Sequence, residues 1–336
     1  MNSAVALPAG LQSALGNDPN GFAVRVVQMR YEAPTVLSLE LAHSDGDDLP
    51  AFTAGAHIDL RLLPDCTRSY SLLNSSSERH RYVVAVHLDP ESRGGSRHVH
   101  ERLRVGDLLA ITPPKNHFPL NENAAHSVLI AGGIGITPLL SMARRLNALG
   151  RSWELFYASR SRRAAAFLDD VDELGKVGPG RLSLHFDSES GGAALDLTKL
   201  VGSAPAAAHF YCCGPAPMLE AFRRLTKHLD PALVHYEYFA AAQEAATEGG
   251  YELVLAKSGK RVDVSAGKTL LQAILDAKVD VNYACSQGVC GTCLTPVLEG
   301  QPDHRDNYLT DEERASNSMI MVCCSGSKSA RLVLDL

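Results

Sequence analysis

Several familiar signals are missing from this sequence of 336 residues. No run of 18 apolar residues occurs, so the sequence predicts no membrane-spanning helix. No G-x-S-x-G elbow and no Walker lysine are present, and therefore nothing supports a serine hydrolase or a P-loop nucleotide site. An excess of positive charge is also missing, because the net charge is −6. Neither nucleic acid nor an anionic membrane is expected as a partner.

The first basic residue is Arg25, so the N-terminal segment lacks the basic region of a secretory signal. The length and the 45% content of hydrophobic residues predict two or three domains, each with a core. Four of the eight cysteines fall into one motif, which argues against a disulfide framework and indicates a reducing compartment. We therefore expect a cytoplasmic protein.

Four cysteines near the C-terminus carry the strongest chemical signal. Cys285, Cys290 and Cys293 have the spacing C-x4-C-x2-C, and Cys323 follows 30 residues after Cys293. Three thiolates on one loop with a distant fourth are the plant-type arrangement for a [2Fe-2S] cluster. A structural zinc site is the alternative, but it usually offers two C-x2-C pairs, and only one is present. Cys324 is adjacent to Cys323, which we choose as the ligand for its spacing.

The N-terminal third of the sequence predicts a small barrel. Residues 1–20 contain Pro, Gly, Asn and Ala without periodicity, which indicates a loose leader. Residues 21–122 contain short alternating segments separated by Gly and Pro, a pattern that predicts an antiparallel β-barrel. The predicted strands are Phe22–Val26, Val36–Leu41, His57–Leu62, Arg68–Leu73, Tyr82–Leu88 and Asp107–Thr112.

Residues 123–240 alternate continuous apolar segments with amphipathic ones, which predicts a doubly wound α/β domain with a parallel sheet. Residues 241–250 contain no large apolar side chain and predict a flexible linker before a last domain, 251–336. The predicted strands are 128–131, 153–158, 182–186, 210–213, 233–239, 251–255 and 261–264, and the predicted helical segments are 139–149, 169–174, 217–229 and 269–277.

Two segments of the barrel region are candidates for a flavin or anion site. In Arg68-Ser69-Tyr70-Ser71, alternation places Arg68 and Tyr70 on one face of a strand and the serines on the other. Arginine can neutralise a phosphate, an aromatic ring can stack on a flavin and serine can donate to a ring nitrogen, whereas an ordinary exposed strand is the alternative. Arg93-Gly94-Gly95-Ser96 offers N–H groups and a hydroxyl for an anion, or it is a plain turn.

Two segments of the α/β region follow buried strands. Gly132-Gly133-Ile134-Gly135-Ile136-Thr137-Pro138 stands between a strand and a helix, where nucleotide phosphates meet helix N–H groups. It is not a complete G-x-G-x-x-G, so a structural turn is the alternative. Cys213-Gly214-Pro215 ends another strand, at the edge where open α/β sheets bind ligands. Cys213 alone is equally consistent with a core thiol.

Two other groups give weaker signals. His98 and His100 form an H-x-H without a completing third ligand, and we interpret them as ordinary histidines. A group of acidic residues indicates a solvated face, with a docking surface as the alternative: Asp303, Asp306, Asp311, Glu312 and Glu313.

In this order, the motifs R-S-Y-S, G-G-S, G-G-I-G-I-T-P, C-G-P and C-x4-C-x2-C…C resemble the phthalate dioxygenase reductase and vanillate demethylase reductase family. Its members are similar to ferredoxin–NADP reductases with a plant-type ferredoxin fused at the C-terminus. The resemblance covers nearly the whole chain after residue 20. It implies a multidomain protein with a flavin-binding antiparallel β-barrel, a doubly wound α/β nucleotide-binding domain and a β-grasp [2Fe-2S] ferredoxin domain.

The resemblance also implies roles for individual residues. Arg68 would hold the flavin phosphate, Tyr70 would pack on the isoalloxazine, and Ser71 would approach its N5. Ser71 and Cys213, beside the nicotinamide, are therefore the candidate catalytic residues. The other implied flavin positions are Ser69, Ala85, Val86, His87, Gly94, Gly95, Ser96, Thr137 and Phe239. The implied pyridine-nucleotide positions are Gly132, Gly133, Gly135, Pro138, Cys213, Gly214 and Pro215.

The cofactors follow from the order of the modules. Family members with a C-terminal ferredoxin use FMN, and those with an N-terminal one generally use FAD, so the resemblance implies FMN. NADH is the usual donor. Ser159 and Arg160 follow the strand that would face the adenosine ribose, together with Ser161, Arg162 and Arg163. Such a set is able to accept a 2′-phosphate, so NADPH stays open.

The implied function is that of a reductase component for a Rieske-type terminal oxygenase. NADH delivers two electrons as a hydride, whereas an oxygenase metal centre accepts one at a time, and a flavin can do both. We expect no essential general acid or base in the hydride step. The alternatives are a reductase for a demethylase or a carnitine-type monooxygenase, and a redox sensor with a structural cluster. A monomer is expected, because the partner contact must be transient.

Overall fold

The computed structural model describes residues 21–63, 66–92, 94–239 and 243–336. The predicted leader 1–20, Arg93 of the candidate anion loop and residues 240–242 lie outside the described residues. The chain divides into two compact units, of which the first ends at Glu237 and the second begins at Tyr238. None of the helices in the described ranges is both long and apolar enough to cross a bilayer.

The first part of the first unit is a six-stranded antiparallel sheet, as the alternation predicts. Its order is β4-β3-β6-β1-β2-β5, and the two end strands approach each other, so the sheet curves into a barrel. Side chains such as Val24, Leu39 and Ile58 are completely buried inside it. The elements are β1 (Phe22–Ala33), β2 (Val36–His43), β3 (His57–Leu63), β4 (Cys66–Ser71), β5 (Tyr82–His87), α1 (Gly95–Glu101) and β6 (Leu108–Ile111).

The second part of the first unit is a parallel five-stranded sheet of order β11-β10-β7-β8-β9. The first strand is central and the chain continues to either side of it, so the sheet is doubly wound and its direction of winding switches between β7 and β10. The elements are β7 (His126–Gly132), α2 (Ile136–Ala148), β8 (Ser152–Ser159), α3 (Leu168–Lys176), β9 (Arg181–Phe186), α4 (Leu197–Ser203), β10 (His209–Cys213), α5 (Ala216–Thr226) and β11 (Val234–Glu237).

Three details of this part of the first unit differ from the predictions. Helix α2 begins at Ile136 and so includes Thr137 and Pro138 in its first turn. Helix α4 was not predicted; it is short and begins after Asp196, whose side chain accepts a hydrogen bond from the Lys199 N–H at 3.0 Å. Strand β11 ends at Glu237, so Phe239 lies beyond the strand that was predicted to include it.

The second unit has the β-grasp arrangement. Its main sheet has the order β13-β12-β18-β14-β16, with β12 parallel to β18. Helix α6 buries Leu270, Leu271 and Ile274 in the core of this unit. The elements are β12 (Tyr251–Leu255), β13 (Lys260–Val264), α6 (Leu270–Asp276), β14 (Leu294–Glu299), β15 (Pro302–Asp303), α7 (Asp311–Ser316), β16 (Met319–Met321), β17 (Gly326–Ser327) and β18 (Arg331–Leu334).

The second half of the predicted linker is bound to this unit. Ala246 is buried, and its N–H donates to the Cys324 carbonyl at 2.8 Å. The Gly250 N–H donates to the Val264 carbonyl at 2.7 Å. Composition predicted flexibility here because small residues carry little apolar area, but these backbone hydrogen bonds fix the segment independently of its side chains.

Candidate functional site

Strand β4 brings two of the predicted flavin segments together. Gly95, at the start of α1, packs so closely on β4 that an added Cβ would lie 2.9 Å from the Arg68 Cγ. The Arg68 guanidinium is partly buried and donates to the Thr67 carbonyl at 2.7 Å. The Ser96 hydroxyl donates to Ser92 at 2.9 Å. Arg68 therefore lies beside the loop that begins at Gly94, as a shared anion site would require.

Tyr70 and Ser71 occupy different environments on β4. Tyr70 packs against the barrel core, and burial raises the pKa of its phenol. Ser71 is buried and is the register partner of His57 on β3. Burial lowers the pKa of His57 to about 4, so its imidazole is neutral, and its Nε2 has no hydrogen-bond partner among the described residues. His57 was not found by motif, because its position beside Ser71 depends on strand pairing.

Ser69 belongs to a buried charged network behind β4. Its hydroxyl donates to Asp59 Oδ1 at 2.5 Å, and Lys115 Nζ lies 2.9 Å from Asp59 Oδ2. Burial opposes ionisation of Asp59, but the Lys115 charge and the Ser69 hydroxyl outweigh it and lower the pKa of this carboxyl. The Ser69–Asp59 hydrogen bond therefore links β4 to β3 through their side chains.

The strand that follows in the chain, β5, carries the next candidates. Ala85 and Val86 are buried, and the Val86 carbonyl lies 3.0 Å from His100 Nε2. Burial lowers the pKa of His87, and the Arg160 guanidinium lowers it further, against the effect of Asp89. His87 of the barrel and Arg160, which follows β8, are therefore electrostatic neighbours within the first unit.

The two glycine-containing turns at the carboxyl edge of the parallel sheet contact each other directly. A Cβ on Gly135 would lie 2.2 Å from the Cys213 carbonyl oxygen, and one on Gly214 would lie 3.1 Å from the Gly132 Cα. Gly133 has a positive φ of 55° in the 3₁₀ turn Gly133–Gly135 that leads into α2. Because these glycines have no side chains, the two turns are able to pack directly against each other.

The remaining candidates of the nucleotide segments lie at the same edge. Thr137 is buried and donates from Oγ1 to the Ile134 carbonyl at 3.1 Å, and Pro138 lies in the first turn of α2. A Cβ on Gly132 would lie 2.6 Å from the Pro215 Cδ. Ser159 ends β8 and is buried, and Arg160 follows it. Phe239 lies in the second unit.

Cys213 has a neighbour that sequence reasoning missed. It is fully buried and is the register partner of Ala131 on one side and of Glu237 on the other. Burial raises the pKa of Glu237 to about 8, and its Oε2 has no hydrogen-bond partner among the described residues. Burial raises the pKa of the Cys213 thiol, and the nearby Glu237 carboxyl raises it further. An acidic residue at the carboxyl end of a parallel strand was the signal available in the sequence.

The four predicted cluster ligands converge in the second unit. Cys285, Cys290, Cys293 and Cys323 are all buried, on a segment without helix or strand that runs from α6 to β14 and on the turn after β16. The Cys285 thiol interacts with those of Cys290 and Cys323, and Cys293 interacts with Cys323. Cys324 packs instead under the loop, where its Sγ would lie 2.5 Å from a Cβ on Gly288.

The polar groups around these thiols fit a cluster. Gln287 donates its N–H to Cys285 Sγ at 3.3 Å, and the Thr292 hydroxyl oxygen lies 3.3 Å from Cys290 Sγ. The Gly288 backbone directs a hydrogen bond to Cys323. N–H donors to sulfur stabilise reduced iron–sulfur clusters. In the described ranges no three His, Cys, Asp or Glu side chains surround one point as a single ion requires, whereas a [2Fe-2S] cluster takes only two thiolates per iron.

A buried ion pair supports the cysteine loop from outside. Asp306 Oδ2 accepts from the Leu309 N–H at 2.8 Å, and Arg314 Nη2 lies 3.7 Å from the same oxygen. Burial opposes ionisation of Asp306, but His304, Leu309 and Arg314 together lower the pKa of its carboxyl. The interpretation of a solvated acidic face is therefore wrong for Asp306.

Three of the other four acidic residues of that group also have structural partners. Asp303 Oδ2 accepts from Arg305 Nε at 2.8 Å. Glu313 completes a capping box with Thr310 at the start of α7. Asp311 Oδ1 lies 3.7 Å from Arg314 Nη1, and Glu312 is exposed in the first turn of α7. The acidic run is thus used mainly to build the segment that covers the cysteine loop.

Comparison with known proteins follows the same division of the chain. A family model described as the 2Fe-2S iron-sulfur cluster binding domain matches residues 253–327. A model described as the oxidoreductase NAD-binding domain matches residues 129–224. The two matches fall on the cysteine-containing unit and on the parallel sheet.

Relatives match nearly the full length. The chain is 53% identical over 314 residues to phenoxybenzoate dioxygenase subunit beta of Ectopseudomonas oleovorans, covering 94% of this chain and 97% of that protein. It is 49% identical over 313 residues to tetrachlorobenzoquinone reductase of Sphingobium chlorophenolicum, covering 93% and 97%. The solved phthalate dioxygenase reductase, a modular structure for electron transfer from pyridine nucleotides to [2Fe-2S], matches with a TM-score of 0.76 and 37% identity, covering 95% and 99%.

Proposed function

Because the chain belongs to the phthalate dioxygenase reductase and vanillate demethylase reductase family, we propose that it passes electrons from NADH, through FMN and a [2Fe-2S] cluster, to a Rieske-type terminal oxygenase. The chain is an NADH-dependent iron–sulfur flavoprotein oxidoreductase. Its relatives include reductase components of oxygenase systems. The observation that carries the proposal is the presence of an NAD-binding sheet and a cluster-binding unit in one chain, 94% of which aligns with a dioxygenase subunit.

The residues of the first unit would bind and orient the two redox partners of the hydride step. When bound, FMN takes up the electron pair of a hydride and releases electrons singly. Arg68 and the Gly94–Ser96 loop would hold its phosphate, and Tyr70 and Ser71 would orient its ring. Gly135, Cys213 and Gly214 would hold the nicotinamide against it. The Cys213 thiol and the Glu237 carboxyl would be neutral, so neither would place a charge beside the nicotinamide.

In the second unit, we assign the ligand positions to Cys285, Cys290, Cys293 and Cys323. Their burial and mutual contacts support this assignment. N–H groups directed at the sulfur atoms would stabilise added negative charge when the cluster is reduced. Cys324 would remain a protonated thiol in the core of the unit, because the adjacent Cys323 thiol and burial both raise the pKa of its thiol.

The proposal is tested with the full-length purified protein. We expect NADH to reduce ferricyanide and cytochrome c, iron and acid-labile sulfide in equal amounts, and extractable FMN. Stopped-flow mixing with a Rieske oxygenase from the same organism would then show transfer to the Rieske centre. Zinc in place of iron, or no NADH oxidation with any acceptor, would overturn the proposal; transfer only to an acceptor without a Rieske centre would overturn its Rieske part.

A second candidate acceptor is a quinone, because one relative at 49% identity is a tetrachlorobenzoquinone reductase. In that case the acceptor would be a small molecule that takes electrons from the same cofactors. NADH-dependent quinone reduction that is faster than transfer to the oxygenase would favour this function.

We also propose that the protein is a cytoplasmic monomer. All eight cysteines are free and buried, which agrees with a reducing compartment. Light scattering of the purified protein tests the monomer, and fractionation of the source cells tests the location.

A further inference from the structure

A paired arginine stands where the adenosine end of a dinucleotide is expected. Arg162 Nε lies 3.3 Å from Glu189 Oε1, and its Nη2 donates to Glu189 Oε2 at 3.4 Å. The same guanidinium lies over the Phe186 ring, with Cζ 4.5 Å from the ring centroid. Both Glu189 oxygens therefore engage the Nε–Nη2 edge of the guanidinium, while Phe186 covers one face.

Two turns at the carboxyl edge of the sheet build this arrangement. Arg162 begins the 3₁₀ turn after β8, and the Ser161 hydroxyl caps that turn by accepting from the Ala164 N–H at 3.3 Å. Glu189 lies in the 3₁₀ turn Asp187–Glu189, directly after β9. The Ser188 N–H donates to the Arg160 carbonyl at 3.0 Å. The ion pair thus connects two turns that are already joined through the backbone.

The position of the Arg162–Glu189 pair at the carboxyl edge of the sheet bears on which nucleotide the site binds. Open α/β sheets bind dinucleotides at the carboxyl ends of their strands, and an arginine near the ribose accepts the 2′-phosphate of NADP. Arg162 is the type of residue that would do so, but it is already bound to a carboxylate. Asp187 and Glu189 also place two negative charges near the position where that phosphate would enter.

We infer that Glu189, by holding Arg162 on Phe186, is a specificity-determining residue that makes the site select NADH over NADPH. The inference rests on the proposed function, because it concerns the nucleotide of the same site. The pair is exposed, with 59% of the Arg162 and 53% of the Glu189 side chain accessible. A ligand phosphate can therefore compete for the arginine, and the effect of releasing it is expected to be moderate.

The test is the substitution Glu189→Gln, assayed with ferricyanide as acceptor. We expect kcat/KM for NADPH, relative to that for NADH, to rise about tenfold, which corresponds to about 1.4 kcal/mol. The gain should appear mainly in KM, because binding and not hydride transfer is altered. The inhibition constant of 2′,5′-ADP relative to 5′-AMP should fall by a similar factor.

Two further variants make the test specific. Adding Arg162→Gln to Glu189→Gln should remove the gain, and a gain that persists would show that Arg162 is not the released group. The control is Glu122→Gln, which breaks a comparable pair with Arg145, at 2.8 Å for both contacts. That pair lies near the amino edge of the sheet, so the nucleotide preference should not change.

The possible results separate the inference from the proposed function. An unmodified protein that oxidises neither nucleotide contradicts the proposed function. An unmodified protein that uses NADH, together with a Glu189→Gln variant of unchanged preference, contradicts only the role of Glu189. A preference for NADPH in the unmodified protein also contradicts it.

Discussion

The nucleotide edge of the first unit and the cysteine loop of the second are shaped by opposite means. At the nucleotide edge, regular strands end in turns whose backbones touch, such as Gly135 against the Cys213 carbonyl. The cysteine loop has no regular structure, and its shape depends on side chains: four buried thiols and the Asp306–Arg314 pair. One site is positioned by sheet topology and the other by individual side chains.

This difference predicts which kind of substitution each site is sensitive to. Added volume is expected to be costly where the two glycine-containing turns touch, because the packed backbones have no room to separate. A thiolate site loses its ligand set when one sulfur is exchanged, whatever the surrounding volume. The predictions that follow test this contrast.

The largest effect is expected from Cys323→Ser. Cys323 interacts with both Cys285 and Cys293, so its loss would remove one of the four proposed ligands of the cluster. Cytochrome c reduction should fall by about 100-fold or more, because the single-electron path is lost. NADH–ferricyanide activity should persist, since the first unit is compact by itself. Iron content and the electron paramagnetic resonance signal of the reduced cluster are the measurements.

Cys324→Ser is the matched control for this experiment. It changes the adjacent thiol, which packs under Gly288, and should retain iron and cytochrome c reduction. Cluster loss in the Cys324 variant with retention in the Cys323 variant would reverse the ligand assignment. Loss of both activities from a folded, flavin-loaded Cys323 variant would contradict the order of transfer.

A smaller effect is expected when volume is added at the nucleotide edge with Gly135→Ala. Gly135 has a φ of −63°, so alanine brings no backbone strain, but its Cβ would meet the Cys213 carbonyl oxygen at 2.2 Å. We expect the first unit to lose about 2–3 kcal/mol of stability and KM for NADH to rise. Urea unfolding followed by the fluorescence of Trp153, the single tryptophan, which is buried in β8, reports on this unit.

Gly202→Ala in α4 is the corresponding control, because a Cβ there has no neighbour within 4 Å. It should be neutral or slightly stabilising in the same unfolding experiment. Equal stability of the two variants would show that the turns are able to separate, which would remove the contrast with the cysteine loop.

Motifs and periodicity predicted the features that are determined by residues close together in the sequence. The [2Fe-2S] cofactor, the three folds and the family are confirmed. The hairpin β12–β13 is where alternation placed it. These features follow from short-range patterns: the reach of a loop, the two-residue repeat of a strand and the turn at Gly259.

The features that the sequence did not reveal depend on which distant segments meet. Glu237 is significant only because β11 pairs with β10 in a register that places it beside Cys213. Asp306 looked solvated in an acidic run, but the fold buries it against Arg314. Residues 246–250 looked flexible because their backbone hydrogen bonds are invisible in composition. Tertiary pairing decided each case.

The smallest effect is expected from a charge at the nucleotide edge, through Glu237→Gln. Burial raises the pKa of Glu237 to about 8 from its ordinary value of 4.5. Between these two values the folded protein keeps a proton that the unfolded chain releases, so stability falls as pH rises. From pH 6 to pH 8 the unmodified first unit should lose roughly 2 kcal/mol more than the Glu237→Gln variant, since each pH unit contributes at most about 1.4 kcal/mol.

Unfolding in urea at both pH values, followed by Trp153, measures this difference. Glu220→Gln, at an exposed position of α5, is the control and should behave as the unmodified protein does. The same slope in all three proteins would mean that Glu237 ionises normally, and that the nucleotide edge holds a charge that would act on the bound nicotinamide. A slope removed only by Glu237→Gln would mean that burial keeps the carboxyl group beside Cys213 neutral, whereas the Asp306 carboxyl group beside the cysteine loop is ionised.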